Sequence, residues 1–331
     1  MNYNYVFITS NMENMEVLYN DLNSFDNCQL LLVDRKFYSI SFLEKILLSK
    51  KLPLKSLRLH IYEYLKKIYI KKNFNEMFSG IKAFNNTNQL CFIIYARDFE
   101  FFGRFLKTIL QKKYPLSRFV CYFGDVCSSF RMKMKTFRKS FDYLFSFDLS
   151  DCKTENMIFI HEPFSNYNFD EKIPLNYDVT FVGAAKDRLN KILDVYKSAK
   201  QKKLNLDFHI VGVEECDMYD KEHISYNKPL KYKEVLKKDL ASKCIFEVMQ
   251  ENSLSPTTRY SEAIVYNKYL ITNCQYFKNL RKKPKNIIYF ENACDIDWNF
   301  IDIQPNFDNS EYLEELSIHN FLKTIEDTLK D

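Results

Sequence analysis

Short apolar runs alternate with amphipathic stretches along the whole chain. Between the apolar runs of the first half, helical spacing of apolar residues marks Ser41–Leu48, Leu57–Ile70 and Phe99–Gln111. Strands that are apolar throughout are typical of a parallel sheet covered on both faces. The pattern therefore predicts a Rossmann-like α/β domain over residues 1–165. Its strands are expected at Tyr5–Ile8, Gln29–Val33, Leu90–Tyr95, Phe119–Phe123, Tyr143–Phe147 and Met157–Ile160.

A polar, proline-bounded segment comes after the first pattern, and we predict that its residues 166–176 form a linker. A second α/β pattern follows this segment. The second Rossmann-like domain is expected over 177–309, and a final amphipathic helix over 310–331 is expected to pack back on the first domain. The predicted strands are Asp178–Val182, Phe208–Val211, Cys244–Met249, Tyr269–Thr272 and Ile287–Phe290. The predicted helices between them are Asp187–Lys202, Tyr232–Ala241 and Thr258–Val265.

Composition excludes several functional classes. The 331 residues are 46% hydrophobic and 27% charged, which is ordinary for a folded protein of two domains. The chain has only five glycines, and they are isolated, so neither a glycine-rich dinucleotide fingerprint nor a P-loop can be built. No apolar run approaches the roughly 18 residues of a membrane span. The first residues also lack the basic and small-residue features of a signal peptide.

The nine cysteines are scattered and include no CxxC pair. Without closely spaced ligand pairs, a zinc site is not expected. An unpatterned odd number without a signal peptide predicts reduced thiols and a cytoplasmic protein.

The net charge of +5 is unevenly distributed. Residues 1–165 carry 24 Lys/Arg against 16 Asp/Glu, whereas 166–331 carry 24 against 27. The stretch from Lys45 to Lys72 alone has nine basic residues and one acid. Either it is a solvated helix face, or it docks on an anionic lipid surface as a peripheral membrane contact. We predict no nucleic-acid partner, because no recognised binding motif accompanies the charge.

In open α/β sheets, ligands bind beyond the carboxyl ends of the strands. Gly183 follows the predicted strand DVTFV and opens a turn that contains Lys186 and Arg188, and Gly212 follows FHIV. A glycine there lets the backbone approach a phosphate, and the basic residues would neutralise it. The alternative is a plain strand-to-helix turn with two solvated basic residues.

A third group of candidates follows the strand CIFEVM and begins with Gln250. Thr257 and Thr258, after a proline, favour a helix start. Arg259 would then lie in the first turn, with Glu262 on the same face. An arginine can hold a phosphate and a carboxylate can bind the two hydroxyls of a ribose. The alternative is a capped helix with an internal Arg259–Glu262 ion pair on a solvated face.

Residues 178–273 resemble the C-terminal domain of bacterial GT-B glycosyltransferases that build capsule, lipopolysaccharide and related surface glycans, including galactofuranosyl- and glucosyltransferase-like members. The resemblance rests on DVTFVGAAKDR, FHIVGV, ISYNKPLKYKEVL and SKCIFEVMQENSLSPTTRYSEAIVYNKYLITN, and extends thinly to FDYLFSFDLSD in the first half. It implies the GT-B fold, in which two Rossmann-like domains face each other across a cleft. It also implies sugar transfer from a nucleotide-diphosphate donor, a UDP-sugar, to a glycan or lipid-linked saccharide.

Carried over by residue, the resemblance implies a donor site without metal or other cofactor, because the basic groups neutralise the diphosphate. Leu254 stands where one branch of the family has a glutamate, and Ser255-Pro256 stands where a small residue, often glycine, is common. These departures leave the sugar and the stereochemistry open. The implied donor-binding residues are Gly183, Lys186, Arg188, Gly212, Tyr226 at the nucleobase, Gln250, Thr257, Thr258, Arg259, and Glu262 at the ribose.

The acceptor side is less well specified. Asp98 and Asp125 each follow a predicted strand of the first half, where a carboxylate could deprotonate an acceptor hydroxyl. A helix cap or a surface carboxylate is the alternative for both. His161, at the end of MIFI, is a further candidate with a structural alternative, and residues 9–11 would form a loop at the cleft.

Two other functions remain open from the residues alone. A GT-B-type nucleotide-sugar epimerase would use the same donor site without a glycan acceptor. A non-catalytic partner of a glycosyltransferase would keep the fold without turnover. For the enzyme, the expected location is the cytoplasm, at the inner face of the membrane.

Overall fold

The computed structural model describes residues 3–38, 55–84, 88–250, 254–278 and 280–330. The predicted helix at Ser41–Leu48 lies outside these residues. The chain divides into two compact units. The first comprises Met1–Phe147, Asp151–Ile160 and Lys323–Asp331, and the second comprises Asp148–Ser150 and His161–Leu322.

The first unit contains a six-stranded parallel sheet in the order β2-β1-β3-β4-β5-β6. Every residue of β1 is buried, as the apolar pattern of a central strand requires. The strands are β1 Tyr3–Ser10, β2 Cys28–Val33, β3 Gln89–Tyr95, β4 Arg118–Phe123, β5 Tyr143–Ser146 and β6 Ile158–Phe159. The helices between them are α1 Glu13–Leu18, α2 Lys55–Met77, α3 Ala96–Phe102, α4 Arg104–Lys113, α5 Met134–Arg138 and α6 Leu149–Thr154.

The second unit contains a second six-stranded parallel sheet, in the order β12-β11-β10-β7-β8-β9. Its strands are β7 Tyr177–Ala184, β8 Leu206–Val211, β9 Ile224–Tyr226, β10 Ser242–Glu247, β11 Tyr269–Thr272 and β12 Ile287–Tyr289. The helices of this half are α7 Leu189–Gln201, α8 Tyr232–Leu240, α9 Thr258–Val265, α10 Gln275–Lys278, α11 Ser310–Glu315 and α12 Ile318–Lys330. The prediction of an α/β protein with two Rossmann-like sheets is confirmed.

A glycine divides one predicted helix into two. The expected continuous helix over Phe99–Gln111 is wrong, because Gly103 has a φ of 70° and separates α3 from α4. Its N–H donates to the carbonyl of Phe99 at 2.7 Å and closes the end of α3. A left-handed residue cannot continue a right-handed helix, and glycine adopts this conformation without a steric penalty.

The C-terminal stretch also forms two helices instead of one. Ser317 lies in the break between α11 and α12, and its hydroxyl accepts the N–H of Asn320 at 3.0 Å. The second of these helices buries a continuous apolar face, made of Phe321, Leu322, Ile325 and Leu329. Its last turns are grouped with the first unit, where Tyr5 donates a hydrogen bond to Glu326 at 3.4 Å.

Two further sequence features have a clear position. Residues 166–176, the predicted linker, lie within the second unit, where the Tyr266 hydroxyl bonds to both the N–H and the carbonyl of Tyr167 at 3.0 Å.

Strand β9 was not predicted, because a strand of three residues is too short to show a pattern. Among the helices described, none combines the length and apolar character that a bilayer crossing requires.

Candidate functional site

The order of the second sheet defines where a ligand is expected. The chain proceeds from β7 to β8 and β9 on one side, then returns to place β10, β11 and β12 on the other. Strands β7 and β10 are neighbours, so the order reverses between them. In open α/β sheets, ligands bind outside the carboxyl ends of the strands at this point. The candidate site is therefore the edge formed by the ends of β7 and β10 and the turns that follow them, which we call the switch-point edge.

Arg188 joins the two strands of the switch-point edge. Its guanidinium donates to the carbonyl of Ala184 at the end of β7, from Nη2 at 2.9 Å and from Nε at 3.3 Å. The other terminal nitrogen, Nη1, donates to the carbonyl of Val248, just after β10. Burial lowers the pKa of Arg188, although the charges of Glu247 and Asp187 oppose this effect. The side chain is half-buried, and it clamps the two strand ends as well as bringing positive charge to the edge.

Lys186 lies across the same edge. Its ammonium group is exposed and donates to the side-chain oxygen of Gln250 at 2.9 Å. The residue has a φ of 45°, a left-handed conformation that costs energy for a lysine. Backbone strain of this kind is concentrated at functional sites. The predicted residues Lys186, Arg188 and Gln250 are therefore brought together at the ends of β7 and β10.

The sequence suggested that Gly183 opens the turn after β7. In the structure it lies inside β7 instead. A side chain added here would come within 3.1 Å of the Phe181 ring and 3.8 Å of Arg188 Nη2. The glycine therefore makes room for the Phe181 ring, whereas the distance to Arg188 is an ordinary van der Waals contact.

The turn after β8 is closed by an asparagine. Gly212 has a φ of 75°, and its N–H donates to Oδ1 of Asn227 at 2.8 Å, as does that of Val213 at 3.1 Å. The hydroxyl of Tyr226 donates to the carbonyl of Tyr219 at 2.7 Å and accepts its N–H at 3.1 Å. The Gly212 N–H predicted to face a phosphate is thus committed within the protein. Asn227 was missed, although asparagine is one of the residues that tolerate its positive φ of 55°.

The predicted helix start after β10 is confirmed, since α9 begins at Thr258. The hydroxyl oxygen of Thr257 accepts the N–H of Arg259 at 3.2 Å and caps the helix. The hydroxyl of Thr258 donates to Glu162 at 3.4 Å.

The predicted pair of Arg259 and Glu262 exists, but it is buried and not on a solvated face. One guanidinium nitrogen of Arg259 lies 2.5 Å from Asp239 and 2.6 Å from Glu262, and the other donates to the carbonyl of Val182 at 3.2 Å. Glu262 is fully buried, and its second oxygen accepts the hydroxyl of Tyr232 at 2.7 Å. These bonds join the four side chains into one network within the second unit, and a ribose contact by Glu262 would require the network to open.

The acids of this network are held close together in a dry environment. Burial raises the pKa of Asp239 well above its usual value, and the neighbouring Glu262 adds to the rise while Arg259 opposes it. Burial acts to lower the pKa of Arg259, but the charges of the two acids outweigh it and raise the pKa. The arginine is therefore a permanently charged group between two acids, and in this position it stabilises the fold of the second unit. The donor-binding roles of Arg259 and Glu262 remain predictions.

A buried acid at the switch-point edge was missed in the sequence. Glu247 ends β10, is 4% exposed, and accepts the hydroxyls of Thr257 and Thr272, the latter at 2.7 Å. The signal that could have found it is a lone acid at the end of the apolar strand CIFEVM.

The candidates of the first unit differ in exposure. Asp98 lies in the first turn of α3 and is 1% exposed. Asp125 is half-exposed, and its carboxylate pairs with Arg97 at 3.0 Å. The guanidinium of that arginine also stacks on the ring of Phe130, 4.4 Å from its centre.

Of the other candidates near strand ends, Thr9 and Ser10 are buried at the end of β1, whereas Asn11 is exposed. His161 lies 3.9 Å from Glu315 in the second unit, and burial lowers its pKa.

No group of three or more His, Cys, Asp or Glu residues suited to a metal ion occurs in the described part of the chain. The triplet Asp295-Ile296-Asp297 has the spacing of an Asp-x-Asp motif. Both of its carboxylates cap turns, Asp295 on the N–H of Asn292 at 2.8 Å and Asp297 on that of Asn299 at 3.1 Å. Metal independence remains a prediction.

No protein-family model and no curated protein matches the chain. Similar solved structures include a mutant of S. aureus TarM in complex with fondaparinux, alpha-GlcNAc-glycerol and UDP, at 13% identity and a TM-score of 0.48, covering 81% of this chain and 58% of that one. An alpha-glucosyltransferase in complex with UDP-glucose and DNA containing an abasic site has 14% identity and a TM-score of 0.45, with 76% of both chains covered.

A putative UDP-N-acetylglucosamine 2-epimerase from Listeria monocytogenes has 10% identity and a TM-score of 0.43, covering 96% of this chain and 88% of that one. Of the TarM structure described above, the chain spans less than two thirds of the length. With TM-scores below 0.5, none of these likenesses bears on the activity of the chain.

Proposed function

We propose that the chain is a GT-B glycosyltransferase that moves a sugar from a UDP-sugar to a hydroxyl of a surface glycan or lipid-linked saccharide, without a metal ion. The observation that carries the proposal is the switch-point edge of the second sheet. There, Lys186 and Arg188 on the turn after β7 contact Gln250 and Val248, which follow β10. Positive charge at this position suits a diphosphate.

Lys186 is the side chain best placed to bind the diphosphate. Its ammonium is exposed and is held by a neutral amide, that of Gln250. A phosphate oxygen makes a stronger, charge-assisted bond to an ammonium group than an amide does. The donor would therefore displace Gln250, while Arg188 would stay on its two carbonyls and contribute charge.

In the transfer, the acceptor oxygen forms a bond to the anomeric carbon as the bond from that carbon to the diphosphate oxygen breaks. The electron pair leaves with UDP, whose growing negative charge is stabilised by Lys186 and Arg188. The acceptor hydroxyl gives its proton to a base. We assign this role to Asp125 ahead of Asp98, because Asp125 is accessible to solvent and Asp98 is buried.

The proposal includes a cytoplasmic location at the inner face of the membrane. The cysteine pattern and the basic stretch 45–72 support it.

UDP is expected to raise the unfolding temperature of the chain. Measured against UDP, GDP, CDP, TDP and CMP, the shift should be selective for UDP and unchanged by magnesium or EDTA. At 100 times its Kd, a ligand adds about 2.7 kcal/mol to the free energy of unfolding. Absence of a shift with every nucleotide would contradict the donor site.

Substitution of Lys186 should weaken UDP binding specifically. Lys186→Gln removes a charge-assisted bond and should raise the Kd by about tenfold, which is about 1.4 kcal/mol. Lys202→Gln is the matched control, because it removes one exposed lysine charge just after the opposite end of α7. Equal effects of the two variants would show that only net charge matters.

An acceptor assay distinguishes transfer from the other functions. Incubation with a UDP-sugar panel and a saccharide acceptor should increase the acceptor mass by one sugar and release UDP. Conversion of the sugar on the nucleotide without an acceptor would instead indicate an epimerase. Nucleotide binding with neither reaction would indicate a non-catalytic partner.

A further inference from the structure

Glu247 is a buried acid at the switch-point edge, and both of its carboxylate oxygens are hydrogen-bonded. Oε1 accepts the hydroxyl of Thr257, the residue that caps α9, and Oε2 accepts the hydroxyl of Thr272 at 2.7 Å. Thr272 is the last residue of β11. The carboxylate therefore connects the end of β10 to the start of α9 on one side and to the end of β11 on the other.

Two arginines act on the same carboxylate. Burial raises the pKa of Glu247, whereas the two threonine hydroxyls and the charges of Arg259 and Arg188 oppose the rise. An acid with both oxygens bonded and cationic neighbours can remain ionised in a buried position. Its charge is thus coupled to Arg188, the residue that clamps the ends of β7 and β10.

The bond to Thr257 fixes the direction of that hydroxyl. A threonine hydroxyl has one proton, and the proton of Thr257 is donated to Glu247. The oxygen is then oriented to accept the N–H of Arg259 at 3.2 Å, which is the helix cap. Through this one hydroxyl, Glu247 sets the position of the first turn of α9 relative to the strand ends.

We propose that Glu247 is a positioning residue of the donor site, acting through Thr257. It holds the first turn of α9 beside the ends of β7 and β10, where Lys186 and Arg188 would meet the diphosphate. The bond to Thr272 anchors the carboxylate to the sheet and contributes to stability alone. This inference rests on the proposed function, because the ligand that the turn would face is the nucleotide donor.

The two threonines provide a matched pair of variants. Thr257→Val and Thr272→Val each remove one hydroxyl bond from the same carboxylate, one toward α9 and one toward β11. We expect Thr257→Val to raise the Kd of UDP by about tenfold, and Thr272→Val to change it by less than about twofold, as measured by titration calorimetry. Thr257→Ser keeps the hydroxyl and should restore binding to within about twofold.

Glu247→Gln separates the carboxylate from the helix cap. It leaves the Thr257 hydroxyl available to cap α9 but removes the charge that orients it, and we expect the Kd of UDP to rise by about three- to tenfold. Unfolding curves of all variants are measured without ligand. They should show similar losses in the free energy of unfolding for Thr257→Val and Thr272→Val. The two variants would then differ in their affinity for UDP but not in their stability.

The possible failures are distinguishable. Equal loss of UDP affinity in Thr257→Val and Thr272→Val, or unchanged affinity in Glu247→Gln, would overturn the positioning role while UDP binding by the unsubstituted chain still supports the donor site. If the unsubstituted chain binds no nucleoside diphosphate, the proposed function fails and this inference fails with it.

Discussion

Several polar side chains of the second unit form hydrogen bonds with backbone groups of the protein. Arg188 binds two carbonyls at the strand ends, and Asn227 binds the N–H groups of Gly212 and Val213. Strand ends and turns leave backbone groups without partners in the sheet, and buried groups of this kind must be paired. Residues that look like ligand contacts in the sequence can therefore be the residues that complete the turns.

The Asp220 carboxylate is paired with side chains and not with the backbone, and its pairing predicts a pH dependence of stability. Burial would raise its pKa, but hydrogen bonds from Lys200, from Tyr196 at 2.6 Å and from His223 at 2.8 Å outweigh burial and hold the pKa well below its usual value. An acid whose folded pKa is depressed stabilises the protein above its unfolded pKa of about 3.9, and this contribution is lost as the pH falls toward the folded pKa.

Asp220→Asn should therefore destabilise the chain at neutral pH by about 1–3 kcal/mol. Asparagine also tolerates the φ of 51° at this position, so backbone strain is not the cause. Urea unfolding at pH 7 and at pH 3 should show a smaller difference from the unsubstituted chain at pH 3. Asp217→Asn, an exposed acid of the same loop, is the control. An effect of Asp220→Asn that is independent of pH would contradict the ionic explanation.

At the scale of elements, local chemistry predicted where α9 begins but not what its first turn contacts. The Pro-Thr-Thr run specifies a helix start through backbone geometry and a capping hydroxyl, both of which act within a few residues. Besides Glu262 of its own helix, Arg259 has partners from two other elements: Asp239 lies on α8 and the carbonyl of Val182 lies on β7. Such contacts across the sequence have no local signature.

Arg259→Met should therefore unfold the second unit more readily, besides any effect on activity. It leaves Asp239 and Glu262 buried without their cation, which typically costs about 3–5 kcal/mol. Urea unfolding should show this loss, whereas Arg281→Met, at an exposed arginine of the same unit, should change stability by less than about 0.5 kcal/mol.

A triple variant checks the cause of that loss. Adding Asp239→Asn and Glu262→Gln to Arg259→Met removes the uncompensated charges and should recover part of the stability. Full stability of Arg259→Met alone would show that the buried network contributes nothing. An inactive Arg259 variant that is also unstable would not demonstrate a donor contact.

For the whole molecule, the charge asymmetry concerns the surface of the first unit. Part of the stretch 45–72 lies outside the described residues, and the rest is the N-terminal part of α2. There, Ile61, Tyr64 and Ile68 are 40%, 63% and 46% exposed, at helical spacing. Lys66 is buried against the ring of Phe101 and does not contribute to this surface.

Binding to anionic vesicles tests whether this surface meets a membrane. Replacing the exposed Lys67, Lys71 and Lys72 with glutamine should weaken binding to vesicles that contain phosphatidylglycerol, by about 1 kcal/mol for each lysine that reaches the headgroups. Replacing Lys133, Lys135 and Lys139, which are also exposed, removes the same charge elsewhere and should have less effect. Equal or absent effects would favour a solvated helix face.

The sequence by itself determined the α/β class, the two sets of strands and the start of α9. Apolar strands, capping residues and turns are encoded within a few neighbouring positions, so composition and periodicity reveal them. It did not determine that Arg259 and Glu262 are buried with Asp239, or that Glu247 receives hydroxyls from two different elements. Only the tertiary structure decided these, because a charged side chain's partner is set by which strands and helices pack together, and that depends on the sheet order.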